Sequence, residues 1–338
     1  MEKLNKRHDM MMNTVSRYIS RPNLVVRYIL SFLLAIGVMP FAFGASPETR
    51  DYAVVDGDTL KMDIYRPACN ASMPAPAVIF AFGGGFMGGE RDCKDFMQYF
   101  NFLNDNGVAV ISIDYRTTLL KHFDKSIAAM DARFATALVY AVNDAVSDFY
   151  RATTYVLENA SELGVDANKI FASGSSAGAI TALQAEYWLA NGFNTGVALP
   201  SDFNYAGIVA FAGAIYCEDE LAWNSKPCPM MLFHGDADKN VPYSILSAGG
   251  MSLCGSEYIS KTLAASGTPC EFYSFEGKDH VISMSPMHDN LYSIAGFIVR
   301  VCEGKENASV NAVEFIAGAP KDYKTEFTIE DYIKANMQ

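Results

Sequence analysis

The chain has 338 residues, half of them apolar and 12% aromatic, with unremarkable Gly and Pro content. That excludes a disordered or fibrous chain and allows one large sheet-based domain. The formal net charge is −12, a surface that repels nucleic acid and anionic membranes.

Residues 1–44 carry Lys3, Lys6, Arg7, Arg17, Arg21 and Arg27 against two acids, followed by an apolar run from Tyr28 to Phe43. A basic stretch before a short hydrophobic one is the pattern of an export signal, and Ala42-Phe43-Gly44 supplies small residues for cleavage after Gly44. The run is barely long enough to span a bilayer, so an uncleaved anchor is the alternative. Without residues 1–44 the chain carries a net charge of −16. It is expected to be secreted or periplasmic, with no stable membrane association once the signal is removed. Residues 45–303 are read as the catalytic domain and residues 304–338 as a polar C-terminal extension.

Tyr52–Val55, the turn signal Asp56-Gly57 and the alternating Leu60, Met62 and Ile64 predict an opening β-hairpin. Ala77–Phe82 and Val108–Ile113 are continuous apolar runs, as in strands covered on both faces. Residues 117–138 fit neither pattern and are either a lid or a surface excursion. Apolar positions from Val142 to Leu163 recur every three or four residues and predict a long amphipathic helix. Strands follow at Ile170–Ala172, Ala206–Phe211, Met230–Phe233 and Glu271–Phe275, with helices at Ala177–Ala190, Ser256–Ala265 and Asn290–Cys302. Strands alternating with helices imply a mostly parallel sheet with helices on both faces. In the tail, Thr328 and Asp331 form a capping-box pattern.

The seven cysteines (Cys69, Cys93, Cys217, Cys228, Cys254, Cys270, Cys302) include no C-x-x-C pair and no histidine at metal-ligand spacing. No metal or other cofactor is expected. Most are read as buried thiols, with Cys217 and Cys228 the pair most worth testing for a disulfide.

Gly174-Ser175-Ser176-Ala177-Gly178 lies between a predicted strand and a predicted helix, the setting of a nucleophile elbow. Such a turn aims Ser176 into a cleft and sets the next amide at a helix N-terminus, where an anion is stabilised. A serine needs a base, and His280 and His288 lie far enough downstream. His280 follows a strand, where catalytic loops of open α/β sheets lie, whereas His288 opens a helix. Asp236 and Asp238, after the strand Met230–Phe233, are both candidates for the acid that orients the histidine. Phe82-Gly83-Gly84-Gly85-Phe86 follows another strand, and three glycines let main-chain amides approach an oxyanion. The contiguous glycines, with no following Lys-Ser/Thr, do not match a phosphate-binding loop.

With these motifs the chain resembles the α/β-hydrolase superfamily, and within it bacterial esterases of the hormone-sensitive-lipase-like and carbohydrate-esterase groups. The resemblance runs from about Val78 to His280. It covers the glycine loop, Asp114-Tyr115-Arg116, the elbow, and the segment from His234-Gly235 to Val241-Pro242. It implies an α/β-hydrolase fold and a Ser176, Asp238, His280 triad, which favours Asp238 over Asp236. It also implies oxyanion donors at the amides of Gly84, Gly85 and Ala177. The family's glycine loop usually begins with histidine, which braces it, and here that position is Phe82. Asp114, Arg116 and Asp144 read as a structural ion-pair set.

The expected activity is hydrolysis of carboxylic esters through an acyl-enzyme, acting on small-molecule or carbohydrate esters such as acetyl or hydroxycinnamoyl (feruloyl) groups. A peptidase related to prolyl oligopeptidases shares the triad order, but 338 residues leave no room for a propeller-sized domain. A binding protein on the same fold, without catalysis, is the alternative from another class.

Overall fold

The computed structural model describes residues 46–67, 73–119, 132–218, 220–248, 250–306, 309–314, 325, 327–328, 331 and 334–335. The predicted export signal, Cys69 and residues 120–131 of the predicted lid segment lie outside the described residues.

The chain enters through an antiparallel hairpin, β1 (Glu48–Val55) and β2 (Asp58–Tyr65). Its two turn residues, Asp56 and Gly57, both have positive φ, 53° and 87°. This is the twist a two-residue hairpin loop requires, and Asp-Gly supplies it cheaply. Behind the hairpin come β3 (Ala75–Ala81), β4 (Ala109–Ile113), β5 (Val165–Ser175), β6 (Gly207–Phe211), β8 (Met230–Gly235) and β11 (Cys270–Phe275). With β12 (Val310–Glu314), the nine-stranded sheet has the order β1-β2-β4-β3-β5-β6-β8-β11-β12 and is parallel from β4 onward. Strands β3, β4, β6 and β8 are almost wholly buried, which is why they read as unbroken apolar runs rather than alternating ones.

Helices cover the sheet: α1 (Met97–Asp105), α2 (Ala132–Glu158), α3 (Ala160–Leu163), α4 (Ala177–Asn191), α5 (Ser256–Ser266), α6 (Pro286–Asp289) and α7 (Leu291–Cys302). The long helix starts at Ala132 rather than Val142 and ends at Glu158, with α3 completing the predicted span. Helix α4 is buried on almost every side, as a helix at the centre of a core must be.

Two features were not expected. A second, antiparallel sheet is formed by β7 (Ala214–Glu218), β10 (Met251–Gly255) and β9 (Ile245–Ala248), in the order β7-β10-β9. Strand β12 (Val310–Glu314), within the predicted C-terminal extension, extends the main sheet by pairing in parallel with β11. Further along the tail, Thr328 N–H donates to the Asp331 carboxylate and Asp331 N–H to the Thr328 hydroxyl, the hydrogen bonds of a capping box. Among the described residues, no helix is long and apolar enough to cross a membrane, and no cluster of three or more His, Cys, Asp or Glu could hold a metal ion.

Candidate active site

The C-terminal ends of β3, β5, β8 and β11 bring four segments together at one edge of the sheet. Ser176 follows β5 at φ 52° and ψ −117°, a conformation an L-residue adopts only when its surroundings enforce it. They do so by close backbone approach. A Cβ on Gly178 would lie 2.0 Å from the Ala81 carbonyl oxygen, so only glycine lets α4 start against the end of β3. The Ser176 amide donates to Phe211 O at 2.9 Å, and its carbonyl accepts from Ile180 N at 2.9 Å as the first turn of α4.

Ser176 Oγ lies 2.8 Å from His280 Nε2, and His280 Nδ1 lies 2.7 Å from Asp238 Oδ2. His280 begins a short 3-10 helix (His280–Ser283) after β11, capped by Asp279, whose side chain accepts from Val281 N. The neighbouring Ser175 is buried and donates to Ser283 O at 2.8 Å, tying the elbow to the segment that carries His280. Asp238 is buried, and its Oδ1 accepts from Asn240 N at 2.8 Å and Val241 N at 3.0 Å. Burial alone would raise its pKa. Hydrogen bonds from His234 and His280 outweigh that and hold the carboxyl well below its ordinary range.

Asp236, the other acid the sequence left open, turns away and accepts from Gly277 N at 2.6 Å. His288 also lies apart from the chain of hydrogen bonds, half-buried on α6 with Nδ1 2.8 Å from Gln98 Oε1.

The glycine loop closes the other side of Ser176. A Cβ on Gly83 would sit 3.2 Å from Ser176 Cβ, so this loop lies directly against the nucleophile position. Gly84 takes φ 135°, and a Cβ there would meet the Gly88 carbonyl oxygen at 2.0 Å. Its own carbonyl accepts from Met87 N at 3.0 Å. Phe82 is buried and stacks on Tyr115, with ring centroids 4.5 Å apart at 26°. The Tyr115 hydroxyl donates to Phe82 O at 2.7 Å. The brace that histidine supplies elsewhere is here a ring stack plus a tyrosine hydrogen bond, both reaching in from the residue after Asp114.

One family model, BD-FAE, matches residues 62–216, and another, Phospholipase/Carboxylesterase, matches residues 141–298. Esterase 2 of the planctomycete Thermogutta terrifontis superposes with a TM-score of 0.55 at 23% identity, covering 78% of this chain and 95% of that one. Its propionate-bound form gives the same TM-score and identity, with 97% of that chain covered. The chain has the α/β-hydrolase fold. An ethyl acetate hydrolase of Pseudomonas putida is 32% identical over 124 residues, 36% of this chain. The match spans only about a third (33%) of that relative's length.

Two of the expected contacts differ from the structure. Asp114 does not join the ion pairs of Arg116. It pairs with Arg91, whose guanidinium also meets Asp63, while Arg116 binds Asp148 and Asp144 on α2 and Asp56 in the hairpin turn. Asp148, fully buried beneath Arg116, was missed because one acid on a long helix looks like any other from sequence. Cys217 and Cys228 are not partners either. Cys217 on β7 faces Cys254 on β10 with sulfurs 3.7 Å apart, two strands that the sequence did not reveal. Cys228 instead donates its backbone N–H to Glu186 Oε1 at 2.8 Å.

Proposed function

We propose that the protein is a carboxylic ester hydrolase that works through an acyl-enzyme on Ser176. The observation that carries this reading is the unbroken chain from Ser176 Oγ through His280 to the buried Asp238 carboxylate, with links of 2.8 and 2.7 Å. Two relatives described as an esterase and an ethyl acetate hydrolase support it.

His280 Nδ1–H donates to Asp238, which leaves Nε2 to accept the Ser176 proton as Oγ attacks the ester carbonyl carbon. The new oxyanion faces the amides of Gly84 and Gly85 in the loop and of Ala177 at the N-terminus of α4; one such donor is typically worth about 3 kcal/mol. Asp238 stabilises the imidazolium that forms. The imidazolium then protonates the departing alcohol, and a water deprotonated by His280 attacks the acyl-enzyme to release the acid and restore Ser176.

The substrates we favour are acetyl or feruloyl esters of carbohydrate. An export signal in residues 1–44 would place the enzyme outside the cytoplasm, where polymer-derived esters are met, and N-terminal sequencing of the exported protein tests cleavage after Gly44. The catalytic reading is tested by a fluorophosphonate probe and by p-nitrophenyl acetate turnover. Labelling should fall on Ser176, and Ser176→Ala should lose both labelling and turnover while Ser175→Ala keeps its labelling. A Ser176→Ala protein with near-normal turnover would remove the basis of the proposal. Comparing acetylated xylan with a feruloylated oligosaccharide separates the two acyl groups.

A further inference from the structure

The acid of the proposed triad has a second imidazole behind it. His234, at the end of β8, is fully buried, and its Nε2 lies 3.3 Å from Asp238 Oδ2 and 3.3 Å from Val241 O. Both of those oxygens can only accept, so Nε2 must carry a proton. On the other side of the ring, Nδ1 lies 2.8 Å from the hydroxyl of Ser256, itself fully buried at the start of α5. A neutral imidazole with its proton on Nε2 has a lone pair on Nδ1, and Ser256 can donate to it. The Ser256 hydroxyl has one other acceptor near it, Gly213 O at 3.4 Å, which is the weaker partner by distance.

We propose that His234 is a positioning residue for the acid: it holds the Asp238 carboxylate on the side opposite His280, and Ser256 fixes the His234 tautomer that does so. This rests on the triad reading above and extends it, giving a chain that runs Ser176, His280, Asp238, His234, Ser256. Asp238 then receives two backbone amides on Oδ1 and two imidazoles on Oδ2. A carboxylate with all its lone pairs engaged cannot rotate away from His280, so the imidazole facing Ser176 keeps one orientation.

The chain ends in the second sheet. Ser256 follows β10 directly, and Gly213 lies between β6 and β7, so the small antiparallel sheet fixes where the Ser256 hydroxyl stands. The other titratable groups around this pair are Tyr243, whose ring stands edge-on to His234 at 5.7 Å, and His280. Glu257 and Asp236 act on Tyr243.

The test is turnover of p-nitrophenyl acetate across pH by His234→Leu, His234→Gln and Ser256→Ala, beside Ser176→Ala. Leucine fills the space without a donor, whereas the glutamine amide reaches about as far as Nε2 and still donates. His234→Leu should lose about tenfold or more in kcat, the size of one charge-assisted hydrogen bond, with KM within about twofold. Its acid limb of kcat/KM should move to higher pH, because a carboxylate relieved of one donor draws the proton onto His280 more strongly. His234→Gln should recover most of the rate and the original limb. Ser256→Ala should shift the limb in the same direction by less.

Equal losses in the leucine and glutamine variants with an unmoved limb would overturn the proposal, since that is what a packing role gives. If His234→Leu does not fold, Ser256→Ala decides: unchanged kcat and an unmoved limb overturn it. An inactive Ser176→Ala beside a fully active His234→Leu removes this inference alone, whereas an active Ser176→Ala removes the triad reading beneath it.

Discussion

The two walls on either side of Ser176 are held in different ways. On the elbow side, Gly174 to Gly178 are fixed by main chain against main chain, so closely that a Cβ on Gly178 would overlap the end of β3. On the other side, Phe82 to Gly89 also fold backbone on backbone, Gly84 against Gly88, but the loop is anchored by side chains, the Phe82 ring stacked on Tyr115 and the tyrosine hydroxyl on the Phe82 carbonyl. Backbone contact leaves only glycine possible at positions 174 and 178, and such a pair of glycines is plain in a sequence. A wall built from a ring stack can be rebuilt with other side chains, and it shows only in three dimensions.

The largest effect expected lies where the elbow meets its acid. Asp238→Asn should lower turnover by about 10⁴, as loss of a triad carboxylate does elsewhere, because the amide can no longer hold the His280 tautomer. Asp236→Asn should change it far less, since Asp236 turns to the Gly277 amide in the adjoining loop. Steady-state kinetics on the pair decides between them, and a larger loss in Asp236→Asn would reverse the assignment.

The same contrast explains what the sequence reveals. The elbow, the glycine loop and the strands of the main sheet are local patterns, and each appears in the structure within a few residues of its expected place. The sheet β7-β10-β9 is only partly local: its strands are four and five residues long, their apolar positions do not alternate cleanly, and although β9 and β10 form a tight hairpin, β7 joins β10 from far back in the chain, Glu218 opposite Met251 and Ala214 opposite Gly255. Missing it also hid the contact of Cys217 with Cys254 and the place of Ser256. Strand β12 was hidden for another reason. Most of its side chains are exposed, so it joins the sheet through its backbone and leaves almost no apolar signature. His234 stood in the open, within the quoted motif, but its role depends on which atoms its ring faces.

The loop wall should fail next. Phe82→Ala removes a buried ring and the stack with Tyr115, and such a deletion typically costs about 3–5 kcal/mol of stability. Turnover should fall with it, since Gly83 lies against Ser176. Melting curves and p-nitrophenyl acetate rates measured together check this, and a stable variant with unchanged turnover would show that residue 82 braces nothing.

The elbow wall carries its own weak point ten residues along α4. Burial pushes Glu186 from 4.5 up to about 7, with the Cys228 amide and thiol offsetting part of the shift, and its Oε2 has no hydrogen-bond donor among the described residues. A raised carboxyl favours the fold while it stays protonated. That contribution is fully present below pH 4.5 and is lost as pH rises through 7. A shift of this size corresponds to about 3 kcal/mol. Glu186→Gln should therefore flatten the fall in melting temperature between about pH 5 and 8. An unchanged slope would mean that the carboxyl stays ionised in the folded protein.

The smallest effect asks which part of the Phe82 brace matters. Tyr115→Phe keeps a ring to stack on Phe82 and removes only the hydroxyl, which donates to Phe82 O at 2.7 Å. The net loss of one such bond is about 1 kcal/mol, well below that for deleting the Phe82 ring. Its effect on turnover need not be small in proportion. The Phe82 carbonyl also sits where a Cβ on Gly178 would come within 2.5 Å of it, so it touches the elbow as well as the loop. Freed from Tyr115, that peptide can turn and carry Gly83 and Gly84 with it, moving the amides assigned to the oxyanion while substrate binding is spared. A drop in kcat at constant KM, larger than the stability loss accounts for, is the expected result. Equal kcat in Tyr115→Phe and the parent enzyme would show that the stacked rings alone hold the loop, and that the hydroxyl serves only to satisfy a buried carbonyl.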